Sequence, residues 1–431
     1  VPGADKLFFW YPAAFCFLRG DLVMKEVEKK IPFGTITITD KAKKLVIEAL
    51  ENKRISSGKL VREFEKKFAE LYGVREAVAV SSGTDADALA LAVLYDYGAE
   101  RGDEVIVPAL SFVATGNAVL HAGFTPVFVD IECETLNINP YLIERAITER
   151  TRAIMPVHLM GKPADMDRIN DIANRCNLFV IEDAAEAYGA EYKGRKIGSL
   201  GHMAAFSLYI AHIITTGEGG IVITNDEEKA GILRSLRSHG RACKCETCVC
   251  NTTSGYCAKR FDNPLKTDIR FVFERHGFSS KMNEMEAAIG LGSLDNYYEI
   301  VQKRRNNLYA MTELIQKYSE FMYTIHEEEQ EKIGPHAFPV ILKESAPFKR
   351  DIFVDYLERN GIDSRNLFQS MPTQCAGFKF LGHMPGEFPE AEYVADHGLH
   401  IGVHQDINDD QIEYLDRVIN NFINNLKQPE F

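Results

Sequence analysis

The sequence predicts an α/β fold: a mostly parallel seven-stranded sheet in a large domain, followed by a smaller C-terminal α+β domain. Three observations carry this. From Ala77 onward, short apolar runs alternate with longer amphipathic segments, the pattern of strands covered by helices on both faces. Beyond Gly277 the alternation stops, and helical segments mix with a few short strands. At 431 residues, the chain has room for more than one domain.

Residues 1–30 read as an N-terminal extension. Leu7 to Leu18 is apolar and aromatic, but it is short, broken by Pro12, and lacks the basic start and cleavage site of a signal peptide. Met24 reads as the natural start. Residues 31–282 make the predicted large domain, including a cysteine-rich insertion at 243–257. Lys41 to Asn52 and Leu60 to Leu71 have helical apolar spacing. The strand-like runs are Ala77–Val80, Glu104–Val107, Pro126–Asp130, Ala153–His158, Leu178–Ile181, Ala204–Leu208 and Gly220–Thr224. A helix is expected over Asp87 to Tyr97. Residues 283–431 form the predicted small domain, with a helix from Asn283 to Gln302 and a strand at His336–Ile341.

Composition bounds the function. The chain is 45% hydrophobic and 26% charged, ordinary for a soluble enzyme. No apolar run is long enough to span a bilayer. A net charge of −13 argues against nucleic acid as the main partner. Cys16, Cys133, Cys176 and Cys375 are scattered and read as plain thiols of a reducing cytoplasm.

Three segments at strand ends suggest chemistry. Ser81-Ser82-Gly83-Thr84-Asp85-Ala86 follows a strand and opens a helix. Hydroxyls and free N–H groups there suit a phosphate, although such residues also serve as ordinary caps. Asp183 ends the strand run Leu178 to Asp183. The third segment runs Ser207-Leu208-Tyr209-Ile210-Ala211-His212-Ile213-Ile214-Thr215-Thr216-Gly217-Glu218-Gly219-Gly220, and no lysine occurs between Lys196 and Lys229.

In order and spacing these segments resemble the DegT-type sugar aminotransferases, which use pyridoxal phosphate (PLP) and have fold type I, the aspartate aminotransferase-like fold. Pro156 to Gly161 and Gly277 to Gly290 match further family blocks, and the resemblance runs from about Phe33 to Phe422. It implies that Gly83 and Thr84 belong to the phosphate loop, with Ser207 beside them. It implies that Phe112 stacks on the cofactor ring and that Asp183 pairs with its pyridinium nitrogen. Glu186 stands where relatives carry Gln or His near the phenolic oxygen. Ser279 stands where relatives carry an Asn that reaches the neighbouring subunit's cofactor phosphate. The sixth position of the third segment is the family's Schiff-base lysine; here it is His212. Imidazole cannot form that bond, but it can move a proton near neutral pH. Histidine at this position marks the sugar 3-dehydratase subgroup.

Cys243, Cys245, Cys248, Cys250 and Cys257 crowd together, which reads as a metal site. Four thiolates suit zinc or an iron–sulfur cluster. The segment resembles the histidine-containing CDP-4-keto-6-deoxyglucose 3-dehydratases, which carry a [2Fe-2S] cluster. Cys243, Cys245 and Cys257 match three of its ligands, while the fourth position is Ala185 here. Cys248 or Cys250 would then supply the fourth thiolate.

The resemblance implies a cytoplasmic homodimer acting on a nucleotide-linked 4-keto-6-deoxysugar. Pyridoxamine phosphate (PMP) would bind non-covalently, and the cluster would relay electrons from a separate reductase. If the cysteines hold only zinc, a cluster-free dehydratase that regenerates PMP from glutamate fits better. A sugar aminotransferase and an inactive PLP-fold protein are the other readings.

Overall fold

The structure is a computed structural model that describes residues 30–426 apart from 244, 246–248 and 250–254. The N-terminal extension up to residue 29, Cys16, Cys248 and Cys250 lie outside the described residues.

All seven expected runs form strands of one sheet: β1 (Glu76–Val80), β2 (Glu104–Pro108), β3 (Thr125–Val129), β4 (Thr151–Ile154), β5 (Phe179–Asp183), β8 (Met203–Ser207) and β9 (Gly220–Thr224). Their order is β1-β9-β8-β5-β4-β2-β3. β3, β2, β4, β5 and β8 are parallel, and β9 runs antiparallel to both neighbours. Fold type I is thereby realised as a mixed rather than uniformly parallel sheet. β6 (Glu191–Tyr192), β7 (Arg195–Lys196) and β11 (Glu331–Lys332) make a small three-stranded sheet.

Side chains alternate across the large sheet. Val78, Val80, Val105, Val107, Ile181 and Val222 enter one apolar cluster, with Ala86, Leu89 and Ala90 of α3 (Gly83–Ala92). Ala77, Ala79, Ile106, Val180, Phe206 and Ile223 enter the other. That second cluster includes Phe64 and Phe68 of the helix Lys59–Tyr72 and Ile169 and Ile172 of the helix Met166–Cys176. Burial on both faces explains why these strands read as continuous apolar runs.

The helices follow their apolar spacing and their caps. Lys59–Tyr72 buries Val61, Phe64, Phe68 and Tyr72 and stops at Gly73, whose φ of 67° suits a residue without Cβ. Its N-terminus is capped from afar: the Glu284 carboxylate accepts from the N–H groups of Gly58, Leu60 and Val61 at 2.9, 3.0 and 3.0 Å. The helix expected over Asn283–Gln302 is two helices, Glu284–Asp295 and Tyr297–Gln316, broken at Asn296. Asn283 is the cap of the first, in a reciprocal box with Glu286. The helix expected over Asp87–Tyr97 begins at Gly83 and tightens to a 3₁₀ turn from Val93 to Tyr97. The run to His158 leaves β4 at Ile154, although Val157 still bridges Asp183.

In the C-terminal part, β10 (Met322–Tyr323), β12 (Phe338–Leu342), β13 (Ser364–Asn366) and β14 (Gly398–Ile401) form an antiparallel sheet in the order β10-β12-β14-β13. Among the described residues no helix is long and apolar enough to cross a membrane.

Candidate active site

The carboxyl ends of the parallel strands are where such sheets bind ligands. At the end of β1, Ser82 caps α3 by accepting from the Asp85 N–H at 3.1 Å, and the Ala86 N–H goes to the Ser82 carbonyl at 3.0 Å. The N–H groups of Gly83 and Thr84 remain as first-turn donors without an intrahelical acceptor. The turn lies hard against neighbouring strand ends. A methyl on Gly83 would come within 2.6 Å of the Ser207 Cβ, and one on Gly220 within 2.1 Å of the Ser82 carbonyl. Gly83, Thr84 and Ser207 are therefore brought together. The Ser81 N–H donates to the Ser280 carbonyl at 3.1 Å, so exposed Ser279 sits next to the residue holding this turn.

Asp183 is buried at the end of β5. It accepts from Thr115 Oγ1 at 2.7 Å and from the Ala185 N–H at 3.2 Å. Burial raises its pKa against these hydrogen bonds and the nearby His158. Asp87, on α3, is buried with Oδ1 unpartnered, and burial with the charge of Asp183 keeps its pKa well up. Phe112 follows β2 and is 57% exposed, which removes it from the core. Its ring touches only the edge of an aromatic cluster, 5.6 Å from Phe368.

Glu186 lies in the turn after β5. Its Oε2 accepts from the Met160 N–H at 2.8 Å, and burial pushes its pKa up to about 8. His212 sits in the loop joining β8 to β9, whose ends are paired at Ser207 and Gly220. Its Nδ1 is buried without a hydrogen-bond partner. Burial, helped by the charge of Arg304, lowers its pKa to about 3, so the ring is neutral at pH 7 and a weaker base than a free imidazole. Tyr188 ties this loop to the turn after β5 by donating to the Ser207 carbonyl at 2.7 Å, with its ring 6.3 Å from that of His212.

Sequence reading missed Thr115, Asp87 as an acid, Arg304 and His336, whose ring lies 4.8 Å from that of His212. Asp87 follows the phosphate-loop segment directly on α3, whereas Arg304 and His336 come from elements with no motif of their own. The apolar spacing of Tyr297–Gln316 gives no hint that its Arg304 is buried.

Cys243, Cys245 and Cys257 are free, partly buried thiols. Burial, with Cys243 and Cys257 as neighbours, raises the pKa of Cys245. Among the described residues no three Cys, His, Asp or Glu side chains converge as a metal-holding group.

The strand-end groups fit a phosphorylated pyridine. Backbone donors and a serine meet at a helix N-terminus, a buried acid stands below, an exposed aromatic lies at the rim, and a buried imidazole nitrogen has no partner.

Comparison with known proteins agrees. Residues 37–422 match the DegT/DnrJ/EryC1/StrS aminotransferase family. The chain is 36% identical over 409 residues to a dTDP-4-dehydro-2,6-dideoxy-D-glucose 3-dehydratase of Saccharopolyspora spinosa, covering 91% of this chain and 86% of that one. It is 39% identical over 330 residues to a GDP-perosamine synthase of Caulobacter vibrioides, covering 76% and 81%. Among solved structures, an E. coli GDP-4-keto-6-deoxy-D-mannose-3-dehydratase with bound hydrated PLP superposes with a TM-score of 0.78 at 29% identity, covering 91% of this chain and 100% of that one. The chain belongs to the DegT/DnrJ/EryC1/StrS aminotransferase family of PLP-dependent, sugar-modifying enzymes.

Proposed function

We propose that the protein is a nucleotide-linked 4-keto-6-deoxysugar 3-dehydratase that works with PMP, with His212 as the residue that moves the proton. The observation that carries this reading is a histidine in the β8–β9 loop at the position of the family's lysine, with no lysine between Lys196 and Lys229. The two lysines buried among the described residues offer no substitute. Lys162 is held by Glu331, and Lys229 by Asp226.

When bound, PMP supplies an amine for the sugar's C4 ketone and a ring that takes up the electron pair released at its 4′ carbon. Gly83, Thr84 and Ser207 bind the phosphate, and Phe112 covers the ring. Asp183 holds a proton at the pyridine nitrogen, and Glu186 serves the phenolic oxygen. His212, neutral at pH 7, would move the proton at the 4′ carbon and could pass it to the departing C3 hydroxyl, which would leave as water. A homodimer would bring Ser279 to the partner's phosphate.

We also infer a metal at Cys243, Cys245 and Cys257, with Cys248 or Cys250 as fourth ligand, [2Fe-2S] ahead of zinc. The crowding of five cysteines between residues 243 and 257 supports this. Such a cluster would take electrons from a reductase. The three described thiols do not make a complete site, so no step of the reaction is derived through it. Iron and sulfide in equal amounts in anaerobically purified protein would support the cluster; zinc without iron would move the reading to glutamate-driven chemistry.

A sugar aminotransferase is the second reading, favoured by the identity with GDP-perosamine synthase. The test is mass analysis of a nucleotide-linked 4-keto-6-deoxysugar after incubation with PMP-loaded protein. Loss of the C3 oxygen supports the dehydratase. Replacement of the ketone by an amino group, with that oxygen retained, assigns the aminotransferase.

A further inference from the structure

We propose that His336 is a positioning residue for His212: it fixes the plane of that imidazole and links it to the carboxyl of Glu186. This rests on the reading of His212 as the proton-moving residue. The two rings lie against each other, with centroids 4.8 Å and planes 35° apart. On its other side His336 presents Nε2 to Glu186 Oε1 at 3.8 Å. That is longer than a direct hydrogen bond, so a small shift completes the link. No hydrogen bond holds Nδ1 of His212, so ring contact is what limits rotation of this side chain.

His336 is itself held rigidly. It lies in a strap entering β12, and Arg304 Nη1 donates to the carbonyls of Pro335 and His336 at 3.3 and 3.1 Å. The Gly334 N–H donates to the Gly161 carbonyl at 3.1 Å. The approach is too close for any side chain. A methyl on Gly334 would meet the Tyr188 carbonyl at 2.2 Å, and one on Gly161 would meet the Gly334 carbonyl at 1.8 Å. Since Tyr188 also holds the Ser207 carbonyl, the strap and the His212 loop share one anchor.

The link has a chemical consequence. Glu186, fixed by the Met160 N–H and raised by burial to about 8, carries a proton near neutral pH that it can present to His336. Above that pH it becomes a carboxylate separated from the His212 imidazole by the ring of His336. Charged and titratable groups act on this line from the elements around it. His212 faces His336, Tyr188 and Arg304; His336 also faces His400 and Arg365; Glu186 also faces Asp183.

The experiment is a pH titration of the full chain labelled with ¹⁵N-histidine, with His212 assigned by His212→Asn. In the native protein the His212 ring signals should show an inflection near pH 8 from Glu186. His336→Phe keeps a ring against His212 but removes the link, so the inflection should vanish; Glu186→Gln should remove it too. His336→Ala should also lower kcat about tenfold with KM nearly unchanged, the effect of a misplaced group. An inflection that persists in His336→Phe would overturn the proposal, and so would an unchanged kcat in His336→Ala. If His336→Ala does not fold, the His336→Phe titration decides alone. Should the native protein dehydrate no keto-sugar, the functional reading fails, while the titration still decides whether His336 and His212 are linked.

Discussion

On β5 two successive carboxylates point to opposite faces of the sheet. Glu182 shares its face with Val180 and has four donors. Oε1 accepts from the N–H groups of Leu200 and Gly201 at 2.8 and 2.6 Å. Oε2 accepts from the Gly198 N–H at 2.8 Å and from His158 Nε2 at 3.2 Å. His158 Nδ1 in turn accepts from the Ala164 N–H at 3.1 Å, which assigns the proton to Nε2. Asp183, on the face of Ile181, has two donors, and nearby Asp87 Oδ1 has none; in the β8–β9 loop His212 Nδ1 has none either. A buried polar network that is fully satisfied specifies the fold. One left incomplete at considerable cost is held open for something else.

That contrast can be broken from either side. The largest effect is expected among the unpartnered groups. His212→Asn should cut turnover by about 10²–10⁴-fold, the span of lost proton transfer, with an unchanged melting curve. His212→Lys should instead give a lysine-linked cofactor band and turnover shifted toward transamination; an unchanged dehydration rate there would remove His212 from the mechanism. On the closed face, Glu182→Ala strands three backbone donors and His158, and should cost about 3–5 kcal/mol in denaturant unfolding. Asp183→Asn should reverse that pattern, with about 10²-fold lower turnover or cofactor affinity and little change in stability.

Acid and base sharpen the comparison further. Glu186 has a folded pKa of about 8 against an ordinary 4.5, so the folded chain keeps a proton that the unfolded chain has released. Stability should therefore fall as pH rises from 4.5 to 8 and level off beyond. His212, lowered to about 3 from 6.5, acts the other way: its contribution is whole above 6.5 and is lost as pH falls toward 3. Melting temperature against pH should show both limbs in the cofactor-free protein, and Glu186→Gln should flatten only the upper one. The smallest effect is expected at Phe112→Leu. A ring already 57% exposed should cost less than about 0.5 kcal/mol of stability, with cofactor affinity a few-fold weaker.

The two faces were not equally legible in the sequence. The seven strands announced themselves because both of their faces are apolar, as in Val105-Ile106-Val107. The direction of β9 did not, since Gly220–Thr224 has the same composition whichever way it runs. The break at Asn296 was hidden because Leu294, Tyr297 and Ile300 continue the helical spacing across it. Gly83, Asp183, Ser207 and His212 stood out because each ends a strand or follows one. Thr115 reaches Asp183 from α4 (Ala114–Ala122), and His336 reaches His212 from the strap before β12, with no motif to mark either. Glu182 passed as one more residue of an apolar run; its four donors come from a loop and a histidine that only the folded chain assembles.

The reversal of β9 closes residues 208–219 into a loop pinned at Ser207 and Gly220. Such a loop behaves like a tool holder. Both ends are clamped by sheet hydrogen bonds, so the residue at its tip can be exchanged without disturbing the strands that carry it. On the proposed reading, a single codon at position 212 would separate a chain that bonds covalently to its cofactor from one that only touches it.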